Sequence, residues 1–144
     1  MQLMNPTIQC PPSQSRYVPF RQQKESKLKL LLQVNENDGV TIVRCTGRIT
    51  YRNEAAELSR KVVELLQQKP CIVLDLSGIE KIDSAGLGEF VLLHMRAKAS
   101  NCLFRIAAPR PEIWDLLHLT NLTSLIEVCA TVDDAITSFR QRVA

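Results

Sequence analysis

Apolar and polar residues alternate from Lys27 to Asn35, with Leu28, Leu30, Leu32 and Val34 on one face and Lys27, Lys29, Gln33 and Asn35 mostly on the other. That period of two predicts a strand with one covered face. Glu36-Asn37-Asp38-Gly39 supplies the Asx and glycine chemistry of a tight hairpin turn. Val40–Cys45 returns as the antiparallel partner, and Gly47 is expected to bend the chain out of the sheet. The period then changes. Ala55, Leu58, Val62, Leu65 and Leu66 recur at helical spacing between Asn53, a reasonable N-cap, and Gln68, after which Lys69-Pro70 ends the helix. Cys71–Leu76 is a near-continuous apolar run, the mark of a central strand covered on both faces. A small polar loop follows. From Ser84 to Ser100 a second helix is expected to turn Leu87, Phe90, Val91, Met95 and Ala99 toward the core. Cys102–Ala107 is the next strand. Pro109-Arg110-Pro111 opens a short third helix with Ile113, Leu116 and Leu117 inside, since proline suits the first helical position. Leu125–Cys129 is a last short strand. Thr131-Val132-Asp133-Asp134 resembles a capping box and starts a C-terminal helix with Val132, Ile136, Phe139 and Val143 as its stripe.

The order β-β-α-β-α-β-α-β-α places the chain in the α/β class, as a single compact domain over residues 27–144. A mixed, largely parallel sheet of about five strands, carrying about four helices, is expected from it. Residues 1–26 hold Pro6, Pro11, Pro12 and Pro19 among Gln, Ser and Arg. They read as an irregular or mobile N-terminal extension.

Charge changes this picture little. The net charge of +3 is concentrated in residues 1–30, which carry five basic side chains against Glu25, and the remainder is close to neutral. A nucleic-acid-binding face needs clustered cations on the fold itself, so nucleic acid is not an expected partner. No apolar run approaches the ~20 residues that span a bilayer. Met1–Pro6 has neither a charged n-region nor an apolar h-region, so no signal peptide or membrane insertion is expected and the cytoplasm is the expected compartment. The five cysteines, Cys10, Cys45, Cys71, Cys102 and Cys129, form no C-x-x-C pair, and only His94 and His118 could assist them. They are expected to be structural thiols, with no metal and no cofactor.

The candidate chemistry converges on Ser84, at the mouth of the second helix. A serine at a helix N-cap accepts a backbone N–H, and that role alone would justify it. The same helix end carries partial positive charge and can receive an anion. Gly86 and Gly88 either let another molecule approach closely or let the helix start pack tightly. Catalysis has weak support: Ile82 stands where a nucleophile elbow needs its first glycine, no P-loop is present, and Val91 replaces the third glycine of a dinucleotide fingerprint. Neither histidine stands in a nucleophile-orienting context. No enzyme is expected, and a Ser84-dependent hydrolase is the weakest of the readings.

Val73-Leu74-Asp75-Leu76-Ser77-Gly78-Ile79, a short spacer, and Ile82-Asp83-Ser84-Ala85-Gly86-Leu87-Gly88 together resemble the signature of the STAS domain family, the bacterial anti-sigma factor antagonists. The similarity runs from about Leu28 to the C-terminus and includes Gly47-Arg48-Ile49. The resemblance implies a compact β-α domain in which the serine after the aspartate, here Ser84, is phosphorylated by a partner that is both anti-sigma factor and serine kinase. It implies a partner-binding set of Asp83, Ser84, Ala85, Gly86, Leu87 and Gly88, with Thr50 and Asp75, and a phosphatase that resets Ser84. Ala85 stands where many members have Ser or Thr, and Thr50 where the loop after Gly47 often carries an acid. The implied function is partner switching: binding when unphosphorylated, release on phosphorylation. Some relatives serve instead as non-phosphorylated adaptor subunits of a transporter ATPase or larger signalling assembly, which is the alternative.

Overall fold

The computed structural model describes residues 29–143. Lys27, Leu28 and the expected extension 1–26 lie outside the described residues. The elements are β1 Leu31–Asn37, β2 Val40–Ile49, α1 Tyr51–Leu66, β3 Cys71–Ile82, α2 Ser84–Ala99, β4 Leu103–Ala107, α3 Pro111–Leu119, a 3-10 turn Leu122–Ser124, β5 Val128–Cys129 and α4 Val132–Val143.

Asp38 and Gly39 both have positive φ, at 55° and 79°. That backbone matches the twist of an antiparallel pair, and it closes the hairpin with Asn37 opposite Val40. Leu30, just before β1, is buried and Leu32 within it half-buried, but Val34 is exposed, so the covered face fades toward the turn.

Two strands outrun their expected ends. β2 continues to Ile49, and Gly47 (φ 108°) lies inside it at the second of two register shifts against β3, not at an exit from the sheet. Bulges of this kind use a residue that tolerates positive φ. The bulged end of β2 pairs with what was expected to be a polar loop, placing Thr46 opposite Gly78, Gly47 opposite Ile79 and Ile49 opposite Ile82. β3 therefore runs six residues past Leu76. Backbone pairing does not require apolar side chains, and Ser77, Glu80 and Lys81 simply face water.

The sheet order is β1-β2-β3-β4-β5, with β1–β2 antiparallel and the other three pairs parallel. Each parallel crossover steps in the same direction, and right-handed crossovers then lay α1, α2 and α3 on one face. Leu58 and Val62 of α1, Phe90 and Leu93 of α2, and Ile113 and Leu117 of α3 cover Val43, Ile72, Leu74 and Ile106 there. α4 takes the opposite face, where Ala135, Ile136 and Phe139 pack on Val40, Val73 and Ala107. Thr131 Oγ1 accepts the Asp134 N–H at 3.0 Å, so the forward half of the expected capping box forms.

Three further expectations are corrected. α1 starts after Thr50 rather than Asn53. β5 has two residues because Leu122–Ser124 coils into the 3-10 turn. In α2 the buried residues are Gly86, Phe90, Leu93 and Ala97, while Met95 and Ala99 face solvent. No helix among the described residues is long and apolar enough to cross a membrane.

Candidate functional site

The C-terminal ends of β2 and β3 emerge side by side, and each feeds a helix: Ile49 leads into α1 and Ile82 into α2. Asp83 ties the two starts together. Its Oδ1 accepts the N–H groups of Ala85 (3.0 Å) and Gly86 (3.2 Å), and its Oδ2 accepts the Tyr51 N–H (2.9 Å). Asp83 is thus the N-cap of α2, and Ser84, expected in that role, is the first helical residue. Both residue types cap well, and the competition goes to the one whose second oxygen also finds a donor. Desolvation pushes the Asp83 carboxyl up, but the N–H groups of Tyr51, Gly86 and Ala85 outweigh it and hold the pKa below the usual carboxylate range. Asp83 is anionic at neutral pH.

Freed from capping, Ser84 is exposed. Its neighbours divide sharply. A Cβ on Gly86 would stand 2.5 Å from the Ile49 carbonyl oxygen and 2.9 Å from the Ile49 and Ile82 Cγ2 atoms, so this glycine is what lets α2 seat against the end of β2. Around Gly88 there is nothing within 4 Å. The pair therefore has two different uses, one internal and one at the surface. Ala85 and Leu87 are half-buried.

The Thr50 loop lies next to this corner, through the Tyr51 N–H and through the Asp83 N–H donated to the Ile49 carbonyl at 3.4 Å. Thr50 itself is 5% exposed. Its N–H (3.2 Å) and hydroxyl (2.8 Å) are both donated to Glu54 Oε1, which also stands 3.7 Å from Arg48 Nε. What the loop offers to solvent is Tyr51, 61% exposed, with the Arg48 guanidinium 5.4 Å from its ring centroid. Tyr51 holds φ at 60°, uncommon for a bulky residue. Sequence reasoning missed Arg48, Tyr51 and Glu54. The only available signal was the Thr50–Glu54 pair, one residue too long for a capping box.

Asp75 does not join them. It is buried, accepts the Ser77 N–H at 3.0 Å, and precedes Ile82 by about 23 Å of strand at ~3.3 Å per residue. Its neighbour is Cys45, whose thiol burial and then Asp75 push up to about 12. His94 stands ten residues into α2, about 15 Å along it from Ser84 at 1.5 Å per residue, and His118 binds the Trp114 carbonyl on α3. Among the described residues no group of three or more His, Cys, Asp or Glu is placed to hold a metal. The corner presents an exposed hydroxyl beside a fixed carboxylate on a glycine-flattened surface.

The comparisons with known proteins agree with this architecture. The STAS domain family model matches residues 32–135, and the chain belongs to that family. A candidate anti-sigma factor antagonist of Thermotoga maritima is 31% identical over 71 residues, 49% of this chain and 63% of that protein, so the match spans less than two thirds of that relative's length. The crystal structure of an anti-sigma factor antagonist from Mycobacterium paratuberculosis superposes with a TM-score of 0.71 and 26% identity, over 78% of this chain and 96% of that one. The fold is shared by the anti-sigma factor antagonist SpoIIAA in its unphosphorylated form (TM-score 0.64, 17% identity, 77% of this chain and 97% of that one) and by the Bacillus cell fate determinant SpoIIAA in its phosphorylated form (0.59, 16%, 76% and 99%).

Proposed function

We propose that this STAS domain chain, with residues 27–144 as its working unit, is a cytoplasmic anti-sigma factor antagonist that acts by partner switching and not by catalysis. Unphosphorylated, the corner formed by Tyr51, Ser84 and Gly88 docks an anti-sigma factor with serine kinase activity. Asp83, Thr50 and Gly86 hold that corner in shape from beneath. The kinase transfers the γ-phosphoryl group of ATP to Ser84 Oγ, the hydroxyl proton leaves to a base on the kinase, and ADP departs. A phosphatase restores the hydroxyl.

The observation that carries this reading is the division of labour between Asp83 and Ser84. Asp83 takes the cap, so Ser84 can be modified without the helix losing its N-terminal hydrogen bonds. The Bacillus protein of the same fold, solved with and without its phosphate, supports the same chemistry. A phosphoserine adds about −1.5 to −2 charges, here beside a carboxylate already ionised. The helix end offsets roughly 0.3–1 kcal/mol of that cost, while an unmatched charge at an interface costs ~2–5 kcal/mol. A net loss of ~3 kcal/mol is about 100-fold in affinity, enough to release a partner from an intact fold.

The test uses the purified anti-sigma factor of the same organism. Without ATP, Ser84→Ala is expected to bind it as the wild type does and Ser84→Asp about 100-fold more weakly, by titration calorimetry. Equal affinities would overturn the switch and favour a phosphorylation-independent adaptor. After incubation with Mg-ATP, mass spectrometry is expected to place phosphate on Ser84, and phosphate found only elsewhere would remove Ser84 from the mechanism.

A further inference from the structure

β4 has a bare edge. β5 reaches only its last two residues, with Ile106 opposite Val128 and Ala107 opposite Cys129. In a parallel ladder the main-chain groups of alternate residues point to opposite neighbours. The Leu103 N–H is donated to the Pro70 carbonyl on the β3 side (2.8 Å), and the Ile106 N–H to the Glu127 carbonyl on the β5 side (3.1 Å). Phe104, two residues before Ile106, therefore turns its N–H and C=O to the side that β5 leaves open. Neither finds a partner among the described residues, although Phe104 is only 4% exposed and buried main-chain groups are almost always paired. The chain is not free to close this gap. Leu122–Ser124 is coiled, the Ile126 N–H is donated to the Leu122 carbonyl at 2.8 Å, and Ile126 is locked in the core. Between that turn and the end of α2 lies a cleft of about 430 Å³, within the range of small-molecule sites. His94, Ala97 and Leu125 line its wall, with Lys98 and Glu127 exposed at its rim. Burial and then Lys98 lower the His94 pKa, which keeps that imidazole neutral at pH 7.

We propose that this cleft binds a free apolar α-amino acid, laid antiparallel to β4 in the place of the missing strand. An unpaired N–H and C=O on one residue are what a single antiparallel neighbour satisfies, and an amino acid carries both complements on one α-carbon. Its carboxylate accepts the Phe104 N–H, and its ammonium donates to the Phe104 carbonyl. The charges at the rim stand in the matching order. Lys98 lies at the start of β4, where the Asn101 N–H is donated to its carbonyl at 3.2 Å and the Cys102 N–H to the Ala97 carbonyl at 2.8 Å. Glu127 lies at the other end, beside Ile106. Lys98 therefore faces the carboxylate and Glu127 the ammonium. Lys98 holds no ion pair among the described residues, and Glu127 stands 3.6 Å from Arg105 with 53% of its side chain still exposed. Directly opposed residues of an antiparallel pair share a face, so the ligand side chain falls on the side of Phe104 that α2 covers, against Ala97, His94 and Leu125. The cleft opens at the other end of α2 from Ser84, and its ligand is independent of the partner-switching reading.

The experiment titrates the ¹⁵N-labelled full chain with L-leucine, L-methionine and L-phenylalanine and follows the Phe104 amide signal by NMR. At least one of the three is expected to shift that signal saturably at low millimolar concentration. For the amino acid that binds, the N-acetyl derivative, which lacks the cation, and the carboxamide, which lacks the anion, are each expected to bind at least about tenfold more weakly. Lys98→Gln, at an exposed position, is expected to melt as the wild type does and to weaken binding by a similar factor. Several outcomes would overturn the proposal. One is the absence of a saturable shift with all three amino acids. Another is saturable binding that moves other signals and leaves Phe104 untouched. An N-acetyl derivative that binds as tightly as its parent would remove the ammonium contact and with it the amino-acid class. An octapeptide ending in the same residue that binds more tightly would make the cleft a reader of peptide ends instead.

Discussion

Asp83 gathers three backbone N–H groups on two oxygens, two from its own helix and one from the start of another. Replacing it with alanine removes the cap of α2 and the tie to Tyr51 together. The expected loss of stability is about 1–2 kcal/mol at pH 7, toward the upper end for an N-cap, read from urea unfolding. The sign of the pH dependence follows from the depressed pKa. The stabilisation is complete above the pKa of the unfolded carboxyl and disappears as pH falls through the lower folded value. The gap between wild type and Asp83→Ala should therefore narrow only in acid. A gap that is constant from pH 7 to pH 2 would show that the charge on Asp83 is not what the N–H groups hold.

At the scale of the element, α2 has two glycines in its first turns with opposite consequences. Gly86→Ala drives a methyl group into the Ile49 carbonyl, a backbone atom that cannot move aside, and is expected to cost about 2–3 kcal/mol. Gly88→Ala meets open space and is expected to stabilise by about 0.5–1 kcal/mol through helix propensity. Thermal unfolding of the two variants in opposite directions is the check, and equal shifts would contradict the seating of α2 on β2. The sequence placed both glycines on the helix but could not tell them apart, because the difference lies in what β2 brings up to Gly86. The hairpin at Asp38-Gly39, the inward face of α1 and the start of α3 were legible, since each depends on local chemistry or one unambiguous stripe. α2 was legible in part: Phe90 is buried and Leu87 and Val91 pack against the core as expected, whereas Met95 and Ala99 face solvent, because its outward side carries apolar residues as well. The end of β3 escaped for another reason: Ser77–Lys81 becomes strand only because a bulged β2 lies alongside. The β-β-α-β-α-β-α-β-α order was readable because short apolar or alternating runs are separated by longer segments bounded by turn and capping residues such as Gly39, Pro70 and Pro111.

For the molecule as a whole, Cys45 reports on integrity. It lies in the larger core with no exposed surface, and its thiol is pushed up to about 12. In a variant with the other four cysteines replaced by serine, Cys45 is expected to react with a thiol reagent at pH 8 only at the rate of global unfolding. Prompt labelling of the native protein would mean the sheet opens locally at β2. The same sheet has a property that bears on how it is made. Its strands stand in space in the order in which they occur in the chain, so no strand waits for a later one to fill a gap beside it. Sequence-distant contacts slow folding because long loops must close first. Here each closure spans only one helix. On a ribosome the β1–β2 hairpin can form as soon as it emerges, and each following helix and strand has a finished edge to join. The Ser84 corner needs only β2, β3 and the first turns of α2, all of which precede α4 in the chain.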